Sequence, residues 1–254
     1  MPIAIQLSEL LAFLEMNLGD PGSADADMAN GLQFRGKEEI RKVVTGVSAS
    51  LEFFKRAVAH KADCVIVHHG ILVPRSPYID PLFACRLQFL ASHGLTLLGY
   101  HYLLDSHPEL GHNAQIIKKL GAQRNGPFRN GWGWYAEYPE ARERDAVIKD
   151  CVSLFGQSRA EYLFGPDRVR RLIVLTGAGS PLYSELPQIM SRRVDLYITG
   201  EIREWDREVV REAGLNLIAG GHYNTERFGL WALGETIAKE LQVEVEFLDL
   251  PNEI

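Results

Sequence analysis

The sequence predicts an α/β protein of two similar lobes, each built on a mostly parallel sheet with helical crossovers. Three observations carry this reading. Short apolar runs such as Val65-Ile66-Val67 and Leu196-Tyr197-Ile198 alternate with segments of helix length. These runs stop abruptly on polar residues or glycine, as strands buried on both faces do. The same alternation is also written twice along the 254 residues, with matched spacings.

The first 40 residues stand apart. Ser8-Glu9-Leu10-Leu11-Ala12-Phe13-Leu14 reads as an amphipathic helix with Ser8 as its N-cap. Asp25 to Met28 follows a Gly/Pro/Ser turn, and Asn30-Gly31 before Leu32-Gln33-Phe34 is a turn dipeptide. The first copy then runs Val43-Val44-Thr45-Gly46, a helical segment around Leu51 to Ala59, a strand from Ala62 to His69, and later Gly94 to His101. Arg124 to Tyr138, rich in glycine and aromatic residues, suits a connecting loop and strand. It marks the expected boundary between lobes 1–125 and 126–254. The second copy runs Val174-Leu175-Thr176-Gly177, a segment around Leu182 to Met190, Val194 to Glu201, and later Gly214 to His222. From Gly46 to Asp63 is 17 residues and from Gly177 to Asp195 is 18. Asp63 to His69 and Asp195 to Glu201 are both 6. Any two α/β halves look alike in outline, but matched spacings favour a duplication.

Composition excludes several classes. Hydrophobic content of 46% and charged content of 24% belong to a globular chain, and a net charge of −6 argues against holding nucleic acid through its phosphates. Arg168, Arg170 and Arg171, the densest basic stretch, read as the solvated lead-in to a strand. Cys64, Cys85 and Cys151 share no metal-type spacing, and an odd count suggests no disulfide framework. The N-terminus lacks a signal-peptide pattern and no apolar stretch reaches about 18 residues, so a cytoplasmic protein without a membrane partner is expected. Gly177-Ala178-Gly179-Ser180-Pro181 lacks a full phosphate-binding fingerprint and reads as a tight turn.

The chemistry gathers at strand ends, where open α/β sheets place their ligands. His68 and His69 close an apolar strand and are followed by Gly70, which puts two imidazoles at one strand tip. Metal binding uses such a pair; the alternative is a strand running out into a polar loop. Asp105, past the neighbouring strand, adds a hard oxygen donor or caps a turn. In the second copy His222 and Glu226 are four apart and share a helix face, preceded by Gly220 and Gly221, which allow close backbone approach. The plainer reading of Glu226 is a helix-start carboxylate beside an incidental histidine. If the lobes face one another, these five nitrogen and oxygen ligands suit two ions about 3.5–4 Å apart rather than one closed tetrahedral site. Zinc, iron, manganese and nickel all fit such a set. His107 and His112 lie in the same loop as Asp105 and read as ordinary loop histidines.

Taken together, Asn30-Gly31-Leu32-Gln33, Val67-His68-His69-Gly70, His101 to Asp105 with His107-Pro108-Glu109-Leu110-Gly111, Asn113-Ala114-Gln115, Ile198-Thr199-Gly200-Glu201 and Gly221-His222-Tyr223 through Glu226 resemble one family. It is the NIF-three-like dinuclear metal-centre family, also called GTP cyclohydrolase type-two homologues, in its short bacterial form. The resemblance spans essentially the whole chain. It implies two α/β lobes with a bimetal cleft between them, a ring-shaped homohexamer, and ligation of two divalent transition ions by His68, His69, Asp105, His222 and Glu226. It also implies that His101 lies close by as a supporting or catalytic group. His112 departs from the small polar residue expected between Gly111 and Asn113.

The expected function is a metal-dependent hydrolase acting on a small molecule, a nucleotide being one candidate, with His101 or Glu201 relaying protons. Ring-opening hydrolysis of GTP is what the family name suggests. The alternative is a non-catalytic metal-binding ring, serving as scaffold or regulatory partner.

Overall fold

The structure is a computed structural model and describes residues 3–22, 25, 27–72, 79–156 and 160–252. Contacts group the chain into two compact units. One runs to Leu110 and takes back Gly229–Leu250, and the other holds Gly111–Phe228.

The first unit contains β1 (Ile5–Gln6), α1 (Leu7–Leu18), β2 (Gly31–Phe34), β3 (Glu39–Ile40), β4 (Lys42–Ser48) and α2 (Leu51–Ala59). It continues with β5 (Cys64–His69), α3 (Pro81–His93), β6 (Thr96–Gly99) and α4 (Tyr102–Asp105). The second unit contains α5 (His112–Lys119), β7 (Gln123–Phe128), β8 (Gly133–Glu143), α6 (Arg144–Phe155), β9 (Ala160–Leu163) and β10 (Arg168–Leu175). After these come α7 (Leu186–Ser191), β11 (Leu196–Thr199), α8 (Asp206–Glu212), β12 (Asn216–Ala219) and α9 (His222–Thr225). The chain then runs through α10 (Phe228–Leu241) to β13 (Glu244–Phe247).

In the first unit the strand order is β13-β4-β5-β6-β2, parallel except for β2 at the edge. In the second it is β7-β8-β10-β11-β12-β9, with a parallel centre of β10, β11 and β12 and antiparallel strands on both sides. The central strands are buried on both faces, which is why they read as continuous apolar runs. The contiguous division at residue 125 differs from the chain's own grouping, because β13 pairs in parallel with β4. The Arg124–Tyr138 segment is likewise part of a sheet: β7 and β8 form an antiparallel hairpin whose second strand pairs with β10.

Side-chain caps open α2 and α3. Ser50 Oγ accepts from Phe53 N at the start of α2, and Asp80 Oδ1 from Phe83 N ahead of Pro81 in α3. Ser8 does not cap α1. Ile5 and Gln6 pair with β3 and Leu7 N donates to Glu38 O at 2.7 Å, so the N-cap position falls two residues earlier, at Gln6, and Ser8 lies inside the first turn. Leu7, Leu10, Leu14 and Leu18 then form the buried stripe.

Several local contacts occur in both units, consistent with the repeat read from spacing. Asp63 Oδ2 accepts from Arg41 N and Lys42 N, and Asp195 Oδ2 from Arg170 N and Arg171 N. Asp63 O accepts from Thr96 N, and Asp195 O from Asn216 N. Helices α2 and α7 both run into a basic residue with positive φ two positions before the aspartate, Lys61 at 64° and Arg193 at 51°. In each unit the third parallel strand is followed by a four-residue helix, α4 or α9. These one-turn helices bring a carboxylate to the sheet's carboxyl end in both units.

Candidate metal centre

In the first unit, His68 and His69 end β5, where successive side chains leave opposite faces of the sheet. His68 is fully buried and its Nδ1 lies 2.9 Å from the Tyr100 carbonyl oxygen. A carbonyl only accepts, so Nδ1 carries the proton and Nε2 presents the lone pair. That Nε2 is 3.5 Å from Asp105 Oδ2, itself 7% exposed. His69 Nδ1 sits 3.0 Å from Ser48 Oγ, its register neighbour on β4. His101 Nδ1 is 3.1 Å from Asp25 Oδ2, which fixes the same tautomer as in His68. The ligand atoms of His68, His69 and His101 all lie within 4.8 Å of one another.

Asp25 is the residue the sequence did not reveal. Burial works against its ionisation, but backbone N–H groups of Asp27, Tyr102 and Met28 and the His101 ring outweigh it and hold the carboxyl below its usual range. Two residues of the N-terminal motif brace the same region. Asn30 Oδ1 accepts from His101 N at 2.8 Å, while Gln33 Oε1 accepts from Ile71 N and Leu72 N, just after the histidine pair.

In the second unit, α9 places His222 and Glu226 one turn apart, with Nε2 3.0 Å from Glu226 Oε2. Glu226 closes this short helix instead of opening the next one, because Gly220-Gly221 lead into a single turn that ends before α10 begins. Glu201, at the end of the β11 run, holds His222 Nδ1 at 2.5 Å. Its role in the geometry is thus to orient His222. Burial disfavours charge on His222, but the Glu226 and Glu201 carboxylates outweigh it and push the ring up to about 9. Gly177, at φ +60°, passes so close that a Cβ there would lie 2.0 Å from Glu226 Oε1. Its amide donates to Thr225 Oγ1, and its carbonyl accepts from Gly200 N and Glu201 N.

His107 is accounted for differently, and His112 does not lie in an exposed loop. His107 Nδ1 accepts from Glu109 N and Leu110 N, and its Nε2 lies 2.8 Å from Asn17 O, so it ties a loop together. His112 is fully buried at the start of α5, and its neighbour Asn113 bridges Thr176 N to Trp132 O. Buried Cys64 and Cys151 are not candidate ligands, because burial raises both thiols, Cys151 to about 12.

The donor set fits divalent transition ions. Within each unit, imidazole and carboxylate donors converge, and His68, His69, His101 and His222 each have Nδ1 engaged by a group of their own unit. Such an orienting partner behind each ring is the arrangement metal-ligating histidines require.

The profile of the family described as Duf34/NIF3 (NGG1p interacting factor 3) matches residues 5–253. A protein of Yersinia pestis named GTP cyclohydrolase 1 type 2 homolog is 39% identical over 88% of this chain and 90% of its own length. One of the same name from Archaeoglobus fulgidus is 33% identical over 98% and 100%. Among solved structures, TTHA1606 from Thermus thermophilus superposes with a TM-score of 0.89 at 31% identity, covering 98% of this chain and all of that one.

Proposed function

The chain belongs to the Duf34/NIF3 family, and from that premise we propose that it is a metal-dependent hydrolase with a dinuclear metal centre. The observation that carries the proposal is the shared posture of four imidazoles, each with Nδ1 engaged behind it and ligand chemistry at its front. His68, His69, Asp105, His222 and Glu226 are the proposed ligands. When bound, two such ions supply Lewis acidity and a lowered pKa for attacking water.

The protein's own contribution is orientation and proton handling. Asp25 holds His101 in the Nδ1–H tautomer, so Nε2 is the atom that takes or returns a proton. Glu201 does the same for the ligand His222. The names of the relatives make a nucleotide such as GTP the first substrate class to test. A homohexameric ring is part of the same proposal.

Glu226→Gln tests the ligand assignment. It keeps shape but removes the charge that meets His222, so metal content of the purified variant is expected to fall by about half or more. Wild-type metal content in that variant would remove Glu226 from the ligand set. Hydrolysis of GTP and of phosphoesters by the loaded wild type tests catalysis, and a fully loaded protein inert across both leaves the scaffold reading.

Protonation of His222 sets a pH dependence. With its pKa raised to about 9, the metal-free ring is charged at neutral pH and must release that proton before Nε2 can coordinate. Apparent metal affinity should therefore rise up to about tenfold per pH unit from neutral pH to about 9, then level off. The sign reverses for the metal-free fold. Its stabilising contact between His222 and the two carboxylates is complete below about 6.5 and fades as pH rises through about 9. Metal titrations and thermal melts across this range check both arms, and flat affinity would contradict the assignment.

A further inference from the structure

At the opposite end of the second unit's parallel strands from His222 and Glu226 lies a cavity of about 420 Å³. Asn125, Tyr135, Arg171, Ser191, Arg192 and Arg193 supply its polar lining, and no lining residue is acidic. None of the three arginines forms an ion pair with a carboxylate among the described residues. Arg192 stacks over the Tyr135 ring at 4.3 Å. Tyr135 is 4% exposed, and its hydroxyl has no hydrogen-bond partner among the described residues.

The first unit supplies an internal comparison. By the aspartate contacts and helix ends that match the two units, Arg171 corresponds to Lys42, Arg192 to His60 and Arg193 to Lys61. In the first unit two positions of this basic group, Lys42 and His60, meet acids of β13, whereas Lys61 forms no ion pair among the described residues. Lys42 Nζ meets Glu244 at 2.8 Å and Glu246 at 2.7 Å, and His60 Nδ1 lies 2.8 Å from Glu246. In the second unit β8 flanks the corresponding strand. Glu137 faces Arg171 in register, as Glu244 faces Lys42, but its carboxylate is taken up by Arg170 at 2.6 Å and Asn125 at 3.2 Å. Tyr135 occupies the register position that Glu246 holds in the first unit. The basic positions are thus repeated, and the acid that meets two of them in the first unit is not.

We propose that this cavity binds the phosphate group of a small phosphorylated molecule. Three guanidinium groups match an oxyanion with several acceptor oxygens better than a single carboxylate, and the Tyr135 hydroxyl supplies a further donor. The volume exceeds that of phosphate alone and lies within the range of small-molecule sites, so a larger phosphorylated body is accommodated. The site is separate from the proposed metal ligands and does not depend on them.

Isothermal titration of the full-length protein with inorganic phosphate and pyrophosphate, with acetate as control, tests this. Pyrophosphate should bind at millimolar concentration or below, and Arg192→Gln and Arg193→Gln should each weaken it about tenfold. Tyr135→Phe should weaken binding without lowering the melting temperature, because it removes a buried hydroxyl that no protein group satisfies. Absence of binding at about 10 mM, or wild-type affinity in both arginine variants, would overturn the proposal. So would an oligonucleotide that binds more tightly than pyrophosphate through the same arginines.

Discussion

Alanine at Gly177 is expected to strip metal from the second half-site while leaving the β10–β11–β12 sheet folded. The added Cβ would lie 2.0 Å from Glu226 Oε1 and 3.2 Å from His222 Nε2. The backbone cannot yield easily, because Gly177 N is tied to Thr225 Oγ1 and Gly177 O to two amides. A left-handed φ costs an L-residue about 1–2 kcal/mol in addition. Glu226 must therefore swing away, which removes the carboxylate from His222. The control is Gly121→Ala. Gly121 has a similar φ of +73° but no atom within 4 Å of its Cβ position, so only the backbone cost applies. Metal content measured on both variants should fall for Gly177→Ala and hold for Gly121→Ala. Equal content in the two would show that the Gly177 approach has no bearing on the site.

Glu185→Ala is expected to be the most destabilising of the substitutions considered. Arg129 and Glu185 form a two-pronged pair, Nε to Oε1 and Nη2 to Oε2, both at 2.6 Å, with side chains only 13% and 12% exposed. The guanidinium also donates to Ser180 O, and Tyr197 OH donates to Gly179 O, so the pair braces the loop after Gly177. Removing the carboxylate leaves a buried cation without its counter-charge, a loss of about 3–5 kcal/mol. Chemical denaturation should show it, whereas Glu39→Ala, which breaks an exposed pair with Arg41, should change stability by about 1 kcal/mol or less. A Glu185→Ala midpoint matching that of Glu39→Ala would mean the pair is not a structural anchor.

Much of this architecture is legible in the chain because its signals are local. The runs that become β5, β6, β11 and β12 are short, apolar and sharply ended, and the two aspartates keep the same job in each unit. His68, His69, Asp105, His222 and Glu226 stand out because strand ends and one-turn helices collect polar residues there. What was hidden depends on pairing across long stretches of sequence. Nothing local to Glu244–Phe247 says that it joins β4, nor does anything near Asp25 foretell a bond to His101, 76 residues away. The hairpin of β7 and β8 looked like a connector because its glycines and aromatics describe both. Arg171 looked like part of a solvated run, and only its missing counter-charge, visible beside Lys42 and Glu246, sets it apart.

Elemental analysis of the protein purified without added metal bears most directly on the proposed function. Close to two transition-metal ions per chain are expected, with fewer in Glu226→Gln and Gly177→Ala. A wild-type protein that carries no transition metal and takes up none on titration at pH 9, where His222 no longer holds its proton tightly, would contradict it.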